Sequence, residues 1–88
     1  MRSRRNPHGQ IDTLSPARLR KAREALGLTQ TELGAELGVS KVEIYRKELP
    51  EDKPEHRPLR RVQVLALRWL LHRAGFSVRQ IARLTGKD

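Results

Sequence analysis

A chain of 88 residues without cysteine has room for one small domain and excludes disulfides and thiolate metal sites as its means of stabilisation. Its net charge of +9 suits a polyanionic partner, most simply nucleic acid, although a merely soluble basic protein has the same balance. No apolar run reaches the ~18 residues of a membrane span, and residues 1–10 lack the apolar core of a secretory signal. We therefore expect a soluble, cytoplasmic, nucleoid-associated protein without a role at membranes.

The charge is unevenly distributed along the chain. Residues 1–23 carry seven basic and one acidic side chain, and residues 57–88 carry eight and one. Residues 24–56 carry four basic and eight acidic side chains, so the middle of the chain is acidic. If the middle contacts DNA, we expect it to do so through particular side chains rather than through its overall charge.

Residues 1–14 are predicted to form a basic flexible arm, because polar residues with Pro7 and Gly9 replace any apolar periodicity. The arm either enters a DNA minor groove or is a plain disordered tail. Its candidate DNA-binding residues are Arg2, Arg4 and Arg5.

The domain proper is predicted over residues 15–88 and begins with a helix that Ser15 caps and Pro16 opens. This helix has one apolar face, formed by Leu19, Ala22 and Leu26, and it ends at Gly27.

Two capped helices follow on either side of a glycine. Thr29 and Glu32 form the capping-box pattern of one helix, and Ser40 and Glu43 repeat the pattern for the next. Gly38 lies between them and supplies the left-handed residue that a tight corner requires. An ordinary helical hairpin remains the alternative, but the short turn favours a helix–turn–helix that reads DNA.

The segment "GLTQTELGAELGVSKVEIYRKE" resembles the helix–turn–helix core of the lambda-repressor-like (Cro/C1, or XRE) regulators. The resemblance covers roughly residues 16–50 and rests on Gln30, Leu33, Gly38, Val39-Ser40 and Ile44. It implies an all-α, five-helix lambda-repressor-like domain that binds double-stranded DNA and needs no cofactor.

The resemblance also implies which side chains contact DNA. Gln30 would bind a phosphate and brace the next helix, whose first residues would read base edges in the major groove. Carried over position by position, the DNA-contacting residues of this helix are Ser40, Lys41, Val42, Glu43, Tyr45 and Arg46. For Glu43, the capping box is a competing role.

Two further expectations follow from this resemblance. The family pairs an arginine of its first helix with a glutamate at the end of its third, which here are Arg23 and Glu48. Lys47 departs from the family, which usually has an apolar residue there. Either the aliphatic part of Lys47 fills that site with the amine outside, or the third helix is rotated.

Residues 50–58 form a polar linker in which three prolines forbid a continuous helix. A helix is then predicted from Leu59 to Arg73, with two apolar stripes. We expect the broader stripe to face the core; it comprises Leu59, Val62, Leu65, Ala66, Trp69 and Leu70. The second stripe would need another cover, which could be a terminal helix or a partner.

The terminal segment carries a third capping box, Ser77 with Gln80, followed by a short helix. This short helix has few apolar residues and can cover only part of the second stripe, so we predict a homodimer through the C-terminal helices, at about residues 59–88. Its interface is predicted to comprise Val64, Leu67, Leu71, Ile81 and Leu84.

Residues 75–86 also repeat the pattern of residues 27–38: a glycine, an apolar residue, a hydroxyl, and later a small residue and a second glycine. Chance similarity between two capped helices is one interpretation. The other is the opening of a second helix–turn–helix, as in a longer transposase- or recombinase-like chain.

The predicted function is a dimeric transcriptional repressor on an inverted-repeat operator. The pattern "HRPLRRVQVLAL" resembles the anti-CRISPR-associated phage regulators, which repress their own operons. The alternative is an antitoxin that binds a toxin protein and autoregulates its operon. No histidine pair at metal-ligand spacing, phosphate loop or nucleophile triad is visible, so we expect neither an enzyme nor a metal site.

Overall fold

The computed structural model describes residues 14–86, and the predicted arginines of the arm lie outside them. The described chain forms five α-helices and no strand, which confirms the all-α fold with five helices. The helices are α1 (Pro16–Ala25), α2 (Gln30–Leu37), α3 (Lys41–Glu48), α4 (Arg61–Arg73) and α5 (Val78–Thr85).

Local signals in the sequence set the helix starts. The hydroxyl of Ser15 accepts a hydrogen bond from the backbone N–H of Arg18. At α2, α3 and α5 the capping boxes are complete. The hydroxyl of the N-cap residue, which precedes the helix, and the side chain three residues further on each accept a hydrogen bond from a backbone N–H. These paired bonds satisfy donors that would otherwise lack a partner in the first turn of each helix.

The turn between α2 and α3 depends on two glycines. Gly38 has a φ of 76° and ends α2 in the left-handed conformation. Gly34 lies inside α2, where a Cβ atom would come within 2.6 Å of the carbonyl oxygen of Val39. Only a residue without a side chain lets the chain fold back so closely against α2.

One core joins the five helices. Helix α1 packs against α3 and α5, α2 packs against α3 and α4, and α4 packs against α5. The core is apolar and comprises Leu14, Leu19, Ala22, Leu33, Ile44, Leu59, Val64, Leu67, Leu70, Leu71 and Ile81.

The structure corrects the predicted start of α4. The helix begins at Arg61 rather than at Leu59, and Leu59 is buried just before it. Gln63 accepts a hydrogen bond from the backbone N–H of Arg60 at 2.9 Å. This contact supports the first turn at a position where no serine or threonine marks a helix start.

The structure also corrects the predicted faces of α4 in part: Leu59 and Leu70 are buried as expected, but the second stripe joins them in the core. Val64, Leu67 and Leu71 are buried within one chain, together with Ile81 of α5, and Leu84 is partly buried against the same core. Val64, Leu67, Leu71 and Ile81 are therefore not exposed for the predicted dimer interface, whereas Leu84 keeps part of its surface exposed. The exposed stripe is instead formed by Val62, Leu65 and Trp69, all of which were expected in the core.

The burial of the second stripe follows from the way α5 folds back against α4. The backbone N–H of Phe76 donates to the carbonyl of Leu71 at 3.1 Å, so the chain turns tightly at the end of α4. The turn brings Ile81 into the core beside the stripe of Val64, Leu67 and Leu71.

Candidate nucleic-acid interface

Helix α3 separates its side chains into an inward and an outward set. Ile44, Lys47 and Glu48 are buried against the rest of the domain. At about 100° per residue, Lys41, Val42, Tyr45 and Arg46 fall on one arc of the opposite side, and all four are exposed. The arrangement presents a basic, mixed-chemistry stripe to solvent.

The orientation of α3 is fixed by a buried carboxylate at its end. Glu48 accepts hydrogen bonds from Nε and Nη2 of Arg23 at 2.7 and 3.1 Å, a bidentate pair that confirms the predicted partnership. The Nε2 atom of Gln30 donates to the same carboxylate at 3.0 Å, and Arg20 lies 3.7 Å away. The hydrogen bonds to Glu48 raise the pKa of Arg23, which stays charged.

Gln30 braces α3 through this contact, as the family resemblance implied. The hydrogen bond to Glu48 uses the amide nitrogen of Gln30, and the side chain is half-buried. Phosphate binding by Gln30 stays a prediction.

Lys47 fills an inward site with its aliphatic stem, and its Nζ atom donates to the carbonyl oxygen of Pro58 at 3.3 Å. Burial lowers the pKa of Lys47, with Glu43 acting to raise it and Arg60 acting to lower it further. The first predicted alternative therefore holds for the aliphatic stem, but the amine, which was expected outside, is bonded to Pro58 in a side chain that is largely buried.

The predicted residues at the start of α3 serve the helix cap. The backbone N–H of Ser40 donates to Oε1 of Glu43 at 3.0 Å, and the N–H of Glu43 donates to the hydroxyl of Ser40 at 3.2 Å. Both side chains are exposed beside the stripe, but the hydroxyl oxygen of Ser40 and Oε1 of Glu43 already accept hydrogen bonds within the cap.

Two arginines that were not predicted to contact DNA lie next to the stripe. Arg57 and Arg60 line a shallow cleft together with Arg46, Lys47 and Glu43. The backbone N–H of Arg57 donates to the carbonyl of Arg46 at 3.3 Å, which ties the loop to the end of α3. The clustering of "HRPLRR" just after the third helix is the signal that could have revealed them.

Neither metal-binding nor membrane-spanning features occur in residues 14–86. No group of three or more histidine, cysteine, aspartate or glutamate side chains in this range could hold a metal ion. None of its helices is both long and apolar enough to cross a bilayer.

Comparison with known proteins identifies the region around α3. Residues 19–48 match a family model described as Helix-turn-helix, and the matched residues begin within α1 and run to the end of α3. Searches of curated proteins and of solved structures returned no match. The matched segment is a helix–turn–helix of the lambda-repressor-like (XRE) family, a family of DNA-binding transcriptional regulators.

Proposed function

We propose that this protein is a transcriptional repressor that reads duplex DNA through α3 and acts as two copies on an inverted repeat. The observation that supports this most directly is the division of α3 into a buried set and an exposed stripe. The bidentate Arg23–Glu48 pair holds the stripe in one orientation, as a surface that must fit the major groove requires.

The side chains of the stripe suit different partners on DNA. Arg46 reads guanine through a bidentate pair with O6 and N7, and Lys41 does so less rigidly. Val42 packs on a thymine methyl group. Tyr45 contacts a phosphate, and the free oxygen of Glu43 accepts from cytosine N4 when the cap leaves it available.

Phosphate contacts surround this reading surface in the proposal. Gln30 and Ser40 lie at the N-terminal ends of α2 and α3, where anions are favoured. Arg57 and Arg60 supply positive charge beside Arg46, at the other end of α3. These contacts fix the position of the helix on DNA without reading sequence.

The size of α3 argues for two copies. Eight residues at 1.5 Å each span about 12 Å, which matches about four base pairs at 3.4 Å each. So short a sequence recurs too often among the ~10⁶ or more competing sites of a genome. Two copies related by a two-fold axis, with their reading helices about 34 Å apart, would double the sequence read.

The experiment is a selection of bound sequences from random duplexes, followed by sedimentation of the protein with the selected duplex. We expect an inverted repeat whose half-sites lie one helical turn apart, bound by two copies. A single unrepeated motif that binds one copy would contradict the symmetric model, although DNA reading through α3 would stand.

The regulated genes and the alternative role are separate questions. Assignment to phage regulators of an anti-CRISPR operon rests on the sequence pattern of residues 56–67 alone. The antitoxin alternative is favoured by a specific observation, the exposed apolar stripe of α4. The gene beside the one for this protein distinguishes the two, since a toxin gene would support the antitoxin role.

A further inference from the structure

A groove between α4 and α5 exposes apolar side chains that the domain itself does not cover. Leu65 and Trp69 of α4 are 48% and 57% exposed, and Val78 of α5 is 80% exposed. Arg68 and Ile81 complete the lining of the groove. Three large apolar side chains that line one groove form a contiguous exposed patch, and such patches mark interaction sites.

The α4–α5 corner repeats the backbone of the α1–α2 corner, displaced by 48 residues. The N–H of Leu28 donates to the carbonyl of Arg23 at 3.2 Å, and the N–H of Phe76 donates to that of Leu71 at 3.1 Å. The backbone angles of the residue before the corner glycine also match. Leu26, before Gly27, has φ −77° and ψ −12°, and Ala74, before Gly75, has φ −79° and ψ −3°.

The ends of the second helix in each pair match as well. Both α2 and α5 are eight residues long and begin with a complete capping box. They end at glycines in the left-handed conformation, Gly38 with φ 76° and ψ 27° and Gly86 with φ 76° and ψ 13°. The α4–α5 pair therefore has the local geometry of the first two helices of a helix–turn–helix.

The shift of 48 residues also relates the lining of the groove to residues of α1 and α2. Arg68 corresponds to Arg20, and Val78 corresponds to Gln30. Both Arg20 and Gln30 contact Glu48, the carboxylate at the end of α3. The groove is thus the counterpart of the surface on which α3 packs, but in the second pair no described helix occupies it.

The chemistry of the groove selects its occupant. Val78 replaces the polar Gln30, so the surface is more apolar than the one that holds α3. Arg68 keeps the positive charge of Arg20, and within residues 14–86 no carboxylate pairs with it. An occupant needs an apolar face with a carboxylate placed as Glu48 is placed in α3.

A second copy of this chain supplies the wrong charge. Within residues 14–86 the large exposed apolar side chains lie on α3, α4 and α5, and each of these helices carries net positive charge. Packing α4 or α5 into the groove would bring like charges towards Arg68, and on α3 the exposed Lys41 and Arg46 outnumber the exposed carboxylate of Glu43.

We propose that the α4–α5 groove binds an amphipathic α-helix of a partner protein, with its apolar face against Leu65, Trp69 and Val78 and a carboxylate against Arg68. This interaction does not rest on the proposed function, since it leaves α3 free to contact DNA. It would give the protein a partner-binding surface separate from its DNA-binding surface, by the helix-in-groove mode of recognition.

Trp69 provides the assay, because it is the only tryptophan of the chain and lies in the groove. The probes are two designed peptides of about 18 residues, long enough to populate a helix. Both carry leucines at three- and four-residue spacing and no tryptophan. One has glutamates beside the leucines, and the other has lysines at the same positions.

We expect the glutamate peptide to cause a saturable blue shift of Trp69 fluorescence in the full chain. The lysine peptide should bind about two- to fivefold more weakly. This difference in affinity corresponds to the free energy of one exposed ion pair. Arg68→Glu should reverse this preference. Arg79→Glu makes the same charge change on α5 outside the groove lining, and should leave the preference in favour of glutamate.

Val78→Glu should abolish the binding of the glutamate peptide without unfolding the chain, since the side chain is exposed; circular dichroism checks the fold. Equal affinity for the two peptides, or an equal effect of the changes at Arg68 and Arg79, would overturn the proposal. A blue shift that appears on raising the protein concentration alone and disappears in Val78→Glu would assign the groove to a second copy and would overturn it too.

Discussion

Glu48 is the residue whose removal most directly tests how α3 is held in place. Its side chain is only 2% exposed, and its carboxylate accepts three hydrogen bonds, two from Arg23 and one from Gln30. Arg23 itself is 15% exposed and makes one other hydrogen bond, from Nη1 to the carbonyl of Leu28 at 3.0 Å. Glu48→Ala therefore leaves a largely buried guanidinium without its counter-ion.

The expected cost follows from this burial. Breaking a buried pair by removing one partner costs about 3–5 kcal/mol. Because Arg23 retains the bond to Leu28 and some contact with water, we expect a loss near the lower end, about 3 kcal/mol. A domain of 88 residues has roughly 4–13 kcal/mol of stability in total, so the change removes a large part of it.

The assay is urea unfolding followed by far-ultraviolet circular dichroism, and Glu36→Ala is the matched control. Glu36 also pairs with an arginine, Arg73 at 3.7 Å, but both side chains are well exposed, at 42% and 61%. We expect this change to cost no more than about 1 kcal/mol. Equal costs for Glu48→Ala and Glu36→Ala would refute the reasoning that the Glu48 network fixes α3.

Three further predictions concern the core, the buried lysine and the arm. Leu67→Glu should unfold the chain because it places a carboxylate in the core, whereas Trp69→Glu should cost under about 1 kcal/mol in the same urea assay. Burial lowers the pKa of Lys47, so the unfolded chain binds its proton more tightly than the folded chain does. The stability of the wild type should therefore rise relative to that of Lys47→Met as pH climbs from 7 towards 10, and a difference independent of pH would contradict this. Removal of residues 1–9 should reduce the slope of log affinity against log salt by about 0.9 for each arginine–phosphate interaction that the truncation removes, and an unchanged slope would show that the arm does not bind DNA.

The starts of α1, α2, α3 and α5 could be predicted from the sequence because they depend on local chemistry. Capping boxes join residues three apart, so Thr29 with Glu32 and Ser40 with Glu43 need no tertiary information. The Arg23–Glu48 pair spans 25 residues, and it was accessible only through the resemblance to a family.

The orientation of α4 could not be predicted in the same way. Both stripes of the helix are apolar, and the large side chain of Trp69 favoured the wrong one. The buried face is decided by the tight turn after Leu71 and by the position of Ile81, which are tertiary features. Arg57 and Arg60 belong to a basic cluster that is visible in the sequence, but their position beside Arg46 depends on the folded loop.

The central claim, that the exposed stripe of α3 reads base pairs, is tested most directly by the affinity of Arg46→Ala for two duplexes, the one selected from random sequences and one of unrelated sequence. Arg79→Ala is the control, because it removes the same charge from α5. We expect Arg46→Ala to lose about 1–3 kcal/mol on the selected duplex and to relax preference at one base pair. Arg79→Ala should affect both duplexes alike. An equal loss on both duplexes for Arg46→Ala would contradict the claim and would make Arg46 a phosphate contact.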